Sequence, residues 1–222
     1  MNNQKNDMYE NDRGNTWGNT NTPPSNGRPA APDEGILPTP EVSYGDALAG
    51  TRTERNLTAA AAEESKAHTK YELYSGAAYE EGYATVGDSL WDLSHQEKEH
   101  SEIWYDYLGK IGNTTQNLQA AIAAETYEAE SMYGEFARVA EEEGFSDIAE
   151  KFRMVGSIEN NHKDILKNIL NEMRDGTLYG GGDDNTVWFC TNCGYAVKGK
   201  EAPAVCPVCS YGRGYFIRYG EN

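Results

Sequence analysis

Between residues 51 and 175, apolar residues recur at alternating spacings of three and four. This period is typical of amphipathic α-helices that pack side by side. Gly82 and Gly144 interrupt the pattern where a helix must turn, and a short Gly- and Asn-containing stretch at 109–113 separates two halves. The pattern therefore predicts four helices, at about 53–80, 84–110, 115–142 and 146–174.

The remainder of the chain divides into three parts of different composition. Residues 1–50 are rich in Asn, Gly, Thr and Pro and hold too few apolar residues for a core, so we expect a disordered tail. Residues 176–186 (GTLYGGGDDNT) have the composition of a linker. Residues 187–222 hold all four cysteines and are predicted to form a small metal-binding domain.

The charge balance limits the classes of partner. The 222 residues include 36 Asp and Glu against 19 Lys and Arg, a formal net charge of -17. Such a chain is not expected to bind nucleic acid or an anionic membrane surface. The sequence has neither a run of 18 apolar residues nor a signal-peptide layout, so we expect a cytoplasmic, non-exported protein.

Polar residues interrupt the apolar face of two helices at mid-length. In the second helix Glu97 and His100 lie between apolar positions of the same face, and in the fourth helix Glu159 and His162 do so. Both pairs have the spacing Glu-x-x-His, which places the two side chains one helical turn apart and facing inward. The apolar positions are Val86, Leu90, Leu93, Trp104, Tyr107 and Ile111 in the second helix, and Ile148, Phe152, Val155, Leu166, Ile169 and Met173 in the fourth.

The other two helices supply carboxylates at matching heights. Glu64 interrupts the apolar face of the first helix, and Glu125 with Glu128 interrupts that of the third. In an antiparallel pair of helices, two residues at the same height have sequence numbers whose average is close to the number of the turn residue. The average for Glu64 and the midpoint of 97 and 100 is about 81, beside Gly82. The average for the midpoint of 125 and 128 and that of 159 and 162 is about 143.5, beside Gly144. The two hairpins therefore form a pseudo-repeat of the kind that builds a dinuclear carboxylate site.

Two cations would explain this arrangement. Burial of five unpaired carboxylates would cost far more than the net stability of a domain, roughly 5–15 kcal/mol. Oxygen-rich ligands with one imidazole for each metal suit iron or manganese better than zinc. The alternative is a helix face interrupted by solvated polar layers. His68 and His95 lack such partners, and we expect both at the surface.

The four cysteines form two Cys-x-x-Cys pairs, a pattern that in a non-exported chain favours metal over disulfides. Four thiolates make a tetrahedral site, and spacing alone does not distinguish redox-active iron from structural zinc. Gly194 and Ser210, which follow the pairs, allow backbone N–H groups to turn toward sulfur. The predicted ligands are Cys190, Cys193, Cys206 and Cys209.

From about residue 51 to 219 the chain resembles the rubrerythrins. The matching stretches are TERNL…EES, EEGY, QEKEH, NLQAAIAAETYEAESMYGEFA, IENNH and FCTNCGY…EAPAVCPVC. The resemblance implies a mainly α fold, namely a ferritin-like four-helix bundle with a di-iron centre, followed by a rubredoxin-like Fe(Cys)4 domain. It also implies a peroxidase that reduces hydrogen peroxide to water in oxidative stress defence, with electrons from an external reductase or rubredoxin and ultimately from a pyridine nucleotide.

By matching motif positions, the resemblance also implies roles for individual residues. Glu128 and His100 fall where the family exchanges a carboxylate for a histidine on one iron as the redox state changes. Tyr71 and Tyr133 match tyrosines that border the pocket. The implied di-iron ligands are Glu64, Glu97, His100, Glu125, Glu128, Glu159 and His162.

The connection between the second and third helices is short for this fold, in which those helices run parallel. A few residues at ~3.5 Å each cannot run back along a bundle some 30–40 Å long. Two solutions remain: an up-down-up-down monomer, or a homodimer in which helices one and two of one chain pack with three and four of another. We expect the swapped dimer.

Other functions remain as alternatives. A ferroxidase, an iron-storage subunit or a di-manganese catalase needs no thiolate redox domain, so the cysteine module argues against them. A non-enzymatic protein with structural iron or zinc, such as a coat component recruited by its tail, is the further alternative. The metal in the cysteine site would separate these, because reducible iron supports electron relay and zinc supports a structural role.

Overall fold

The structure of the protein is a computed structural model that describes residue 44 and residues 47–219. The predicted disordered tail, residues 1–50, lies outside the described residues except for Tyr44 and residues 47–50. Two compact units are present, one helical and one that begins at Tyr179 and contains the cysteines. Each is described separately below.

The four predicted helices are present, and one of them is interrupted. Thr51 caps the first helix by accepting a hydrogen bond from the Glu54 N–H (3.0 Å), and Asn113 forms a capping box with Gln116 at the start of the third. The third predicted helix is not continuous, because a π-helical turn divides it. The elements are α1 (Arg52–Glu80), α2 (Ala84–Tyr107), α3 (Thr114–Tyr127), the π-turn (Glu128–Met132), α4 (Tyr133–Glu142) and α5 (Ser146–Asp175).

The two hairpin turns have the same backbone conformation. Gly82 and Gly144 both have φ of +85°, a left-handed conformation in which a side chain would be strained. The N–H of Tyr83 donates to the carbonyl of Ala78 at 2.8 Å, and the N–H of Phe145 donates to that of Ala140, also at 2.8 Å. Equivalent residues at the two turns are thus 62 positions apart, which supports an internal repeat.

Small residues bring the helices of each hairpin together. On α2 the buried residues Gly87, Ser94 and Ser101 recur every seven positions, and the Ser75 hydroxyl of α1 donates to the carbonyl of Gly87 at 2.8 Å. On α5 the buried residues are Ala149, Lys163 and Leu170, on the same seven-residue spacing. The first hairpin therefore buries small side chains between its helices, whereas the second also buries the long side chains of Lys163 and Leu170.

The large apolar residues of the predicted helix faces lie elsewhere. Val86 and Leu93 of α2 are 50% and 42% exposed, and Ile148 of α5 is 45% exposed. α1 packs against α2, and α5 packs against α3, the π-turn and α4; within the described residues, no helix of one hairpin packs along a helix of the other. The prediction that the apolar faces of the four helices point into one shared core is therefore not met within a single chain.

The short connection explains the separation. Residues 108–113 join α2 to α3, and both of their ends are anchored. The N–H of Lys110 donates to the Tyr105 carbonyl at 2.9 Å, and Gly112 exchanges two hydrogen bonds with the Asn117 side chain (2.7 and 2.9 Å). Ile111 lies between these anchors. The connection is too short to reverse along α2, a helix of about 36 Å.

The cysteine-containing unit is a small β-structure. Its strands β1 (Val187–Cys190), β2 (Ala196–Lys198) and β3 (Phe216–Arg218) form an antiparallel sheet in the order β2-β1-β3. Trp188 and Phe216 are fully buried and form its core together with two of the cysteines. Residues from Tyr179 onward, which include part of the predicted linker, hydrogen-bond to this unit: the Ala202 N–H donates to the Tyr179 carbonyl at 2.9 Å.

Among the described residues, no helix is both long and apolar enough to cross a bilayer.

Candidate metal centres

The first hairpin brings together three of the predicted ligands. Glu64 of α1 meets Glu97 and His100 of α2, and their ligand atoms lie within 4.8 Å of one another. The His100 Nδ1 atom is 2.9 Å from Glu97 Oε2 and 4.0 Å from Glu64 Oε2. The Glu-x-x-His spacing places both α2 side chains on one side of that helix, as predicted.

The second hairpin repeats this arrangement. Glu125 of α3 meets Glu159 and His162 of α5, again with ligand atoms within 4.8 Å. The His162 Nδ1 atom is 2.7 Å from Glu159 Oε2 and 3.6 Å from Glu125 Oε2. Six of the seven predicted ligands thus form two clusters of the same composition, one on each hairpin.

Hydrogen bonding and burial perturb the carboxylates of both clusters. The hydrogen bond with Glu97, followed by burial, raises the pKa of Glu64, while the hydrogen bond from Glu64 lowers the pKa of Glu97. The two pKa values shift in opposite directions because one carboxyl group of the pair donates the shared hydrogen bond and the other accepts it. Burial, followed by the hydrogen bond with Glu159, raises the pKa of Glu125. In each case the perturbing groups belong to the same hairpin.

The geometry of the clusters fits a bound cation. Glu125 Oε2 is buried and, among the described residues, has no hydrogen-bond partner, an arrangement that costs free energy. Oxygen and nitrogen ligands about 2.1 Å from a metal lie about 3 Å apart on adjacent corners of its coordination sphere. The separations of 2.9 and 2.7 Å are close to that value, and those of 4.0 and 3.6 Å are longer. The oxygen-rich ligand set favours iron or manganese.

Glu128 and Tyr133 border the second cluster. Glu128 is half-buried and is not one of the three clustered ligands, but its charge contributes to the raised pKa of Glu125. Burial, followed by the charges of Glu159, Glu128 and Glu125, raises the pKa of Tyr133. Tyr133 therefore lies within electrostatic reach of the cluster, as expected for a residue at the border of the pocket.

Tyr71 lies at the corresponding place in the first hairpin. It is half-buried on α1, seven residues after Glu64, and its ring packs near that of Tyr74 with centroids 6.4 Å apart. Seven residues make almost two helical turns, so Tyr71 and Glu64 share a face of α1.

The π-turn at Glu128–Met132 was missed by the sequence analysis, which predicted one continuous helix. Comparison of the two repeats contains a signal for it. Glu64 and Tyr71 are seven residues apart, whereas Glu125 and Tyr133 are eight apart. One extra residue between equivalent positions of a helix must be absorbed by a bulge, and a π-turn is the usual form.

The two remaining histidines differ from each other in exposure. His68 was expected at the surface but is half-buried, with its Nδ1 atom 2.9 Å from the Ser94 carbonyl oxygen of α2. His95 is exposed, as expected, and its Nδ1 atom lies 2.8 Å from the Trp91 carbonyl oxygen. Neither is part of the two clusters.

The four cysteines converge in the second unit. Their sulfur atoms all lie within 4.8 Å of one another, with Cys190 Sγ 3.8 Å from Cys209 Sγ and Cys193 Sγ 3.6 Å from Cys206 Sγ. A tetrahedral metal with bonds of about 2.3 Å to sulfur requires sulfur–sulfur separations of about 3.8 Å. The thiol groups therefore fit a single four-coordinate metal.

The turns after each pair direct backbone donors toward sulfur, as predicted. Gly194 and Ser210 have φ of +79° and +63°. The side chain of Asn192, with help from the backbone N–H of Tyr211, lowers the pKa of Cys209 to about 6. The backbone N–H of Tyr195 also acts to lower the pKa of Cys193, but burial and the neighbouring thiols raise it to about 12. A metal ion removes this imbalance by binding all four as thiolates.

The rubrerythrin family model matches residues 55–170, and the model of the rubrerythrin rubredoxin-like domain matches residues 188–217. A rubrerythrin of Porphyromonas gingivalis is 35% identical over 182 residues, which cover 76% of this chain and 90% of that protein. The chain belongs to the rubrerythrin family. A rubrerythrin of Nitratidesulfovibrio vulgaris is 32% identical over 188 residues, with coverage of 79% and 98%. A solved structure of nigerythrin in a partially reduced state is 28% identical and covers 82% of this chain and 94% of its own, with a TM-score of 0.30.

The family confirms the fold class and the kind of cofactor expected from the sequence. The chain is mainly helical and ends in a small cysteine-rich rubredoxin-like region. Rubrerythrins carry di-iron and rubredoxin-like iron sites, and the two Glu–His clusters and the four-cysteine site are consistent with iron. Rubrerythrins are generally oxidoreductases of oxidative stress defence.

The raised pKa of Glu125 predicts a pH dependence for the metal-free protein. Because its pKa in the folded state is above the reference value of 4.5, the folded state binds this proton more tightly than the unfolded state. The resulting stability is present below pH 4.5 and is lost as the pH rises through the raised pKa. In chelator at pH 7, Glu125→Gln should therefore melt ~2–4 °C above the unchanged protein, the shift that about 1 kcal/mol produces in a chain of this size.

Thermal unfolding followed by circular dichroism at pH 7 and at pH 4 tests this prediction. The advantage of Glu125→Gln should disappear at pH 4, below the reference value of 4.5, where a protonated Glu125 no longer carries the charge that folding disfavours. Glu150→Gln, on the exposed side of α5, serves as the control and should change little. A Glu125→Gln protein that is less stable than the unchanged chain at pH 7 would contradict the description of a strained, metal-free carboxylate.

Proposed function

We propose that this protein is a non-haem di-iron peroxidase that reduces hydrogen peroxide to water, with electrons relayed through its four-cysteine iron site. The observation that carries the proposal is the presence in one chain of two carboxylate–imidazole clusters and a tetrahedral thiol site. Two ferrous ions held by the clusters would supply one electron each to the reaction H2O2 + 2 H+ + 2 e− → 2 H2O.

The seven predicted ligands have distinct tasks in this proposal. Glu64, Glu97 and His100 hold one ion, and Glu125, Glu159 and His162 hold the other, while Glu128 is a further ligand beside the second.

Tyr133 and Tyr71 are proposed to border the peroxide site. Burial and three neighbouring carboxylates raise the pKa of Tyr133, so its phenol stays protonated at neutral pH and can donate a hydrogen bond from Oη. Tyr71 occupies the equivalent face of α1. A protonated phenol beside a developing hydroxide favours cleavage of the O–O bond by stabilising negative charge.

Electrons are proposed to enter through Cys190, Cys193, Cys206 and Cys209 from an external reductase or rubredoxin that is itself reduced by NAD(P)H. Iron bound by four thiolates is a one-electron carrier, and backbone N–H groups near sulfur tune its potential. Ferroxidase or iron-storage activity, and a structural zinc role, remain the alternatives. The four-thiol site argues against the first two because neither needs a one-electron carrier.

Anaerobic reduction followed by one equivalent of hydrogen peroxide tests the activity. The iron-loaded protein should consume the peroxide without evolving oxygen, and the absorbance of the oxidised cysteine-bound iron should return as electrons leave that site. Cys209→Ser should still oxidise its reduced di-iron centre once but lose NADH-linked turnover. Glu97→Ala should lose iron from the clusters and lose both reactions.

The matched control is Glu99→Gln, a neighbouring exposed position on α2 outside the clusters. It should retain both reactions. Release of oxygen would indicate a catalase, and peroxide consumption unchanged in Glu97→Ala would contradict the assignment of the site.

We also propose that the centre forms between two chains, as a swapped homodimer. Each hairpin holds only half of the predicted ligands, and its large apolar residues are exposed beside them. The anchored connection at 108–113 prevents α3 from returning along α2 within the chain. A second copy offers the complementary half-site and a matching apolar face, so hairpin α1–α2 of one chain would pack with hairpin α3–α5 of the other.

Complementation between two inactive variants distinguishes the swapped dimer from centres built within one chain. Glu97→Ala disables the first hairpin, and Glu159→Ala disables the second. In a swapped heterodimer of these variants, one centre carries both changes and the other carries neither. Heterodimers isolated with two affinity tags should therefore regain about half of the normal peroxidase activity and iron content.

Heterodimers of Glu97→Ala with Glu64→Ala provide the control, because both changes lie in the first hairpin and no intact centre can form. They should stay inactive. An inactive Glu97→Ala/Glu159→Ala heterodimer, or an iron-loaded protein that sediments as a monomer, would contradict the swap.

A further inference from the structure

The two repeats differ in length by one residue, and the extra residue lies beside the proposed centre. After the π-turn, equivalent residues of the two repeats are 62 sequence positions apart, as Tyr133 and Tyr71 are. Before it they are 61 positions apart, as Glu125 and Glu64 are. The second repeat therefore contains one inserted residue, and the π-turn Glu128–Met132 is where the helix absorbs it.

The insertion keeps Tyr133 on the face of Glu125. Eight residues of regular α-helix would carry Tyr133 about 80° past that face. A π-turn takes up one extra residue because its hydrogen bonds run from residue i+5 to residue i, so the following helix resumes its register. The Tyr133 N–H donates to the carbonyl of Glu128, which is one of these longer bonds.

The same turn carries the one proposed ligand that has no counterpart. Glu128 lies three residues after Glu125, and the equivalent position in the first repeat, three residues after Glu64, is Ala67. The second half of the centre thus has one residue and one carboxylate more than the first.

An ion pair connects the π-turn to α5. Lys163 Nζ is 2.9 Å from Glu130 Oε1, and the lysine side chain is only 9% exposed. Lys163 directly follows the predicted ligand His162. Its equivalent in the first repeat is Ser101, whose hydroxyl donates to the Lys98 carbonyl, so this position bonds within α2 rather than to α1.

We infer that Lys163 is a positioning residue for Glu128: by holding Glu130 it fixes the π-turn against α5, so that Glu128 and Tyr133 face the same half of the centre. A buried lysine contributes little net stability, because the loss of its hydration offsets the attraction in the pair. Its contribution here is to geometry. This inference rests on the proposed metal centre and adds to it a cause of the inequivalence of the two metal positions.

Metal binding tests the inference without reference to catalysis. The unchanged dimer, prepared free of metal, should bind two Co(II) ions in each centre, as followed by absorbance and calorimetry. Lys163→Met should weaken one of the two by about 10- to 100-fold, the usual effect of losing a partner that orients a ligand, and leave the other unchanged. Metal-free Lys163→Met should unfold at the same temperature as the unchanged protein or above it.

Three further variants separate positioning from a general charge effect. In a Glu128→Gln background, Lys163→Met should have no additional effect on Co(II) affinity. The reversed pair, Lys163→Glu with Glu130→Lys, should restore part of the lost affinity. Ser101→Ala, the equivalent position in the first repeat, should bind both ions normally.

Deletion of Ala129 provides an independent test of the inserted residue. It should convert the π-turn into regular α-helix, keep the rest of α4 in register and reproduce the weakened Co(II) site. Normal binding of two ions by both Lys163→Met and the deletion variant would overturn the inference while leaving the metal centre intact. Equal weakening of Co(II) binding by Lys163→Met with and without Glu128 would also overturn it. An unchanged protein that binds no Co(II) in the clusters would overturn the metal centre as well.

Discussion

The two metal-binding clusters depend on carboxylates that converge from different helices. Two glutamates and a histidine meet on each hairpin, and proximity or burial raises the pKa of one carboxyl group in each cluster. In the absence of a cation, such a cluster can relieve the repulsion by taking up a proton. A cation satisfies both oxygen atoms and the imidazole together, which converts a destabilising cluster into a structural contact.

The same constraint explains how residues are distributed on the helices. Small residues such as Gly87 and Ser94 let α1 and α2 approach closely, which brings Glu64 within reach of His100. The large apolar residues lie on the other side, next to the ligands, and stay exposed in the single chain. In the proposed dimer a second hairpin covers this apolar surface and completes the ligand set, so assembly and metal binding would be linked equilibria.

Much of this arrangement could be predicted from the sequence because helical periodicity is a local property. The positions of Glu97, His100, Glu159 and His162 relative to apolar neighbours were enough to place them on one face of each helix. The Cys-x-x-Cys spacing was likewise enough to predict a four-sulfur site, and Gly194 has the left-handed conformation expected of it.

Other features depend on tertiary contacts that periodicity does not record. The sequence of the π-turn does not distinguish it from an α-helix, because Glu128 and Met132 suit an α-helix equally well. Only the comparison of Tyr133 with Tyr71 reveals the extra residue. His68 is half-buried because it reaches the Ser94 carbonyl across the hairpin. The separation of the two hairpins follows from the hydrogen bonds at Lys110 and Gly112, which anchor both ends of the connection.

A crystal structure of the iron-loaded protein, with anomalous diffraction recorded at the iron absorption edge, tests the central claim most directly. We expect two iron atoms about 3.5–4 Å apart, each within about 2.0–2.2 Å of glutamate oxygen and histidine nitrogen, with Glu97 and Glu159 contributed by different chains. A map in which these glutamates point into solvent and no iron lies between them would contradict it.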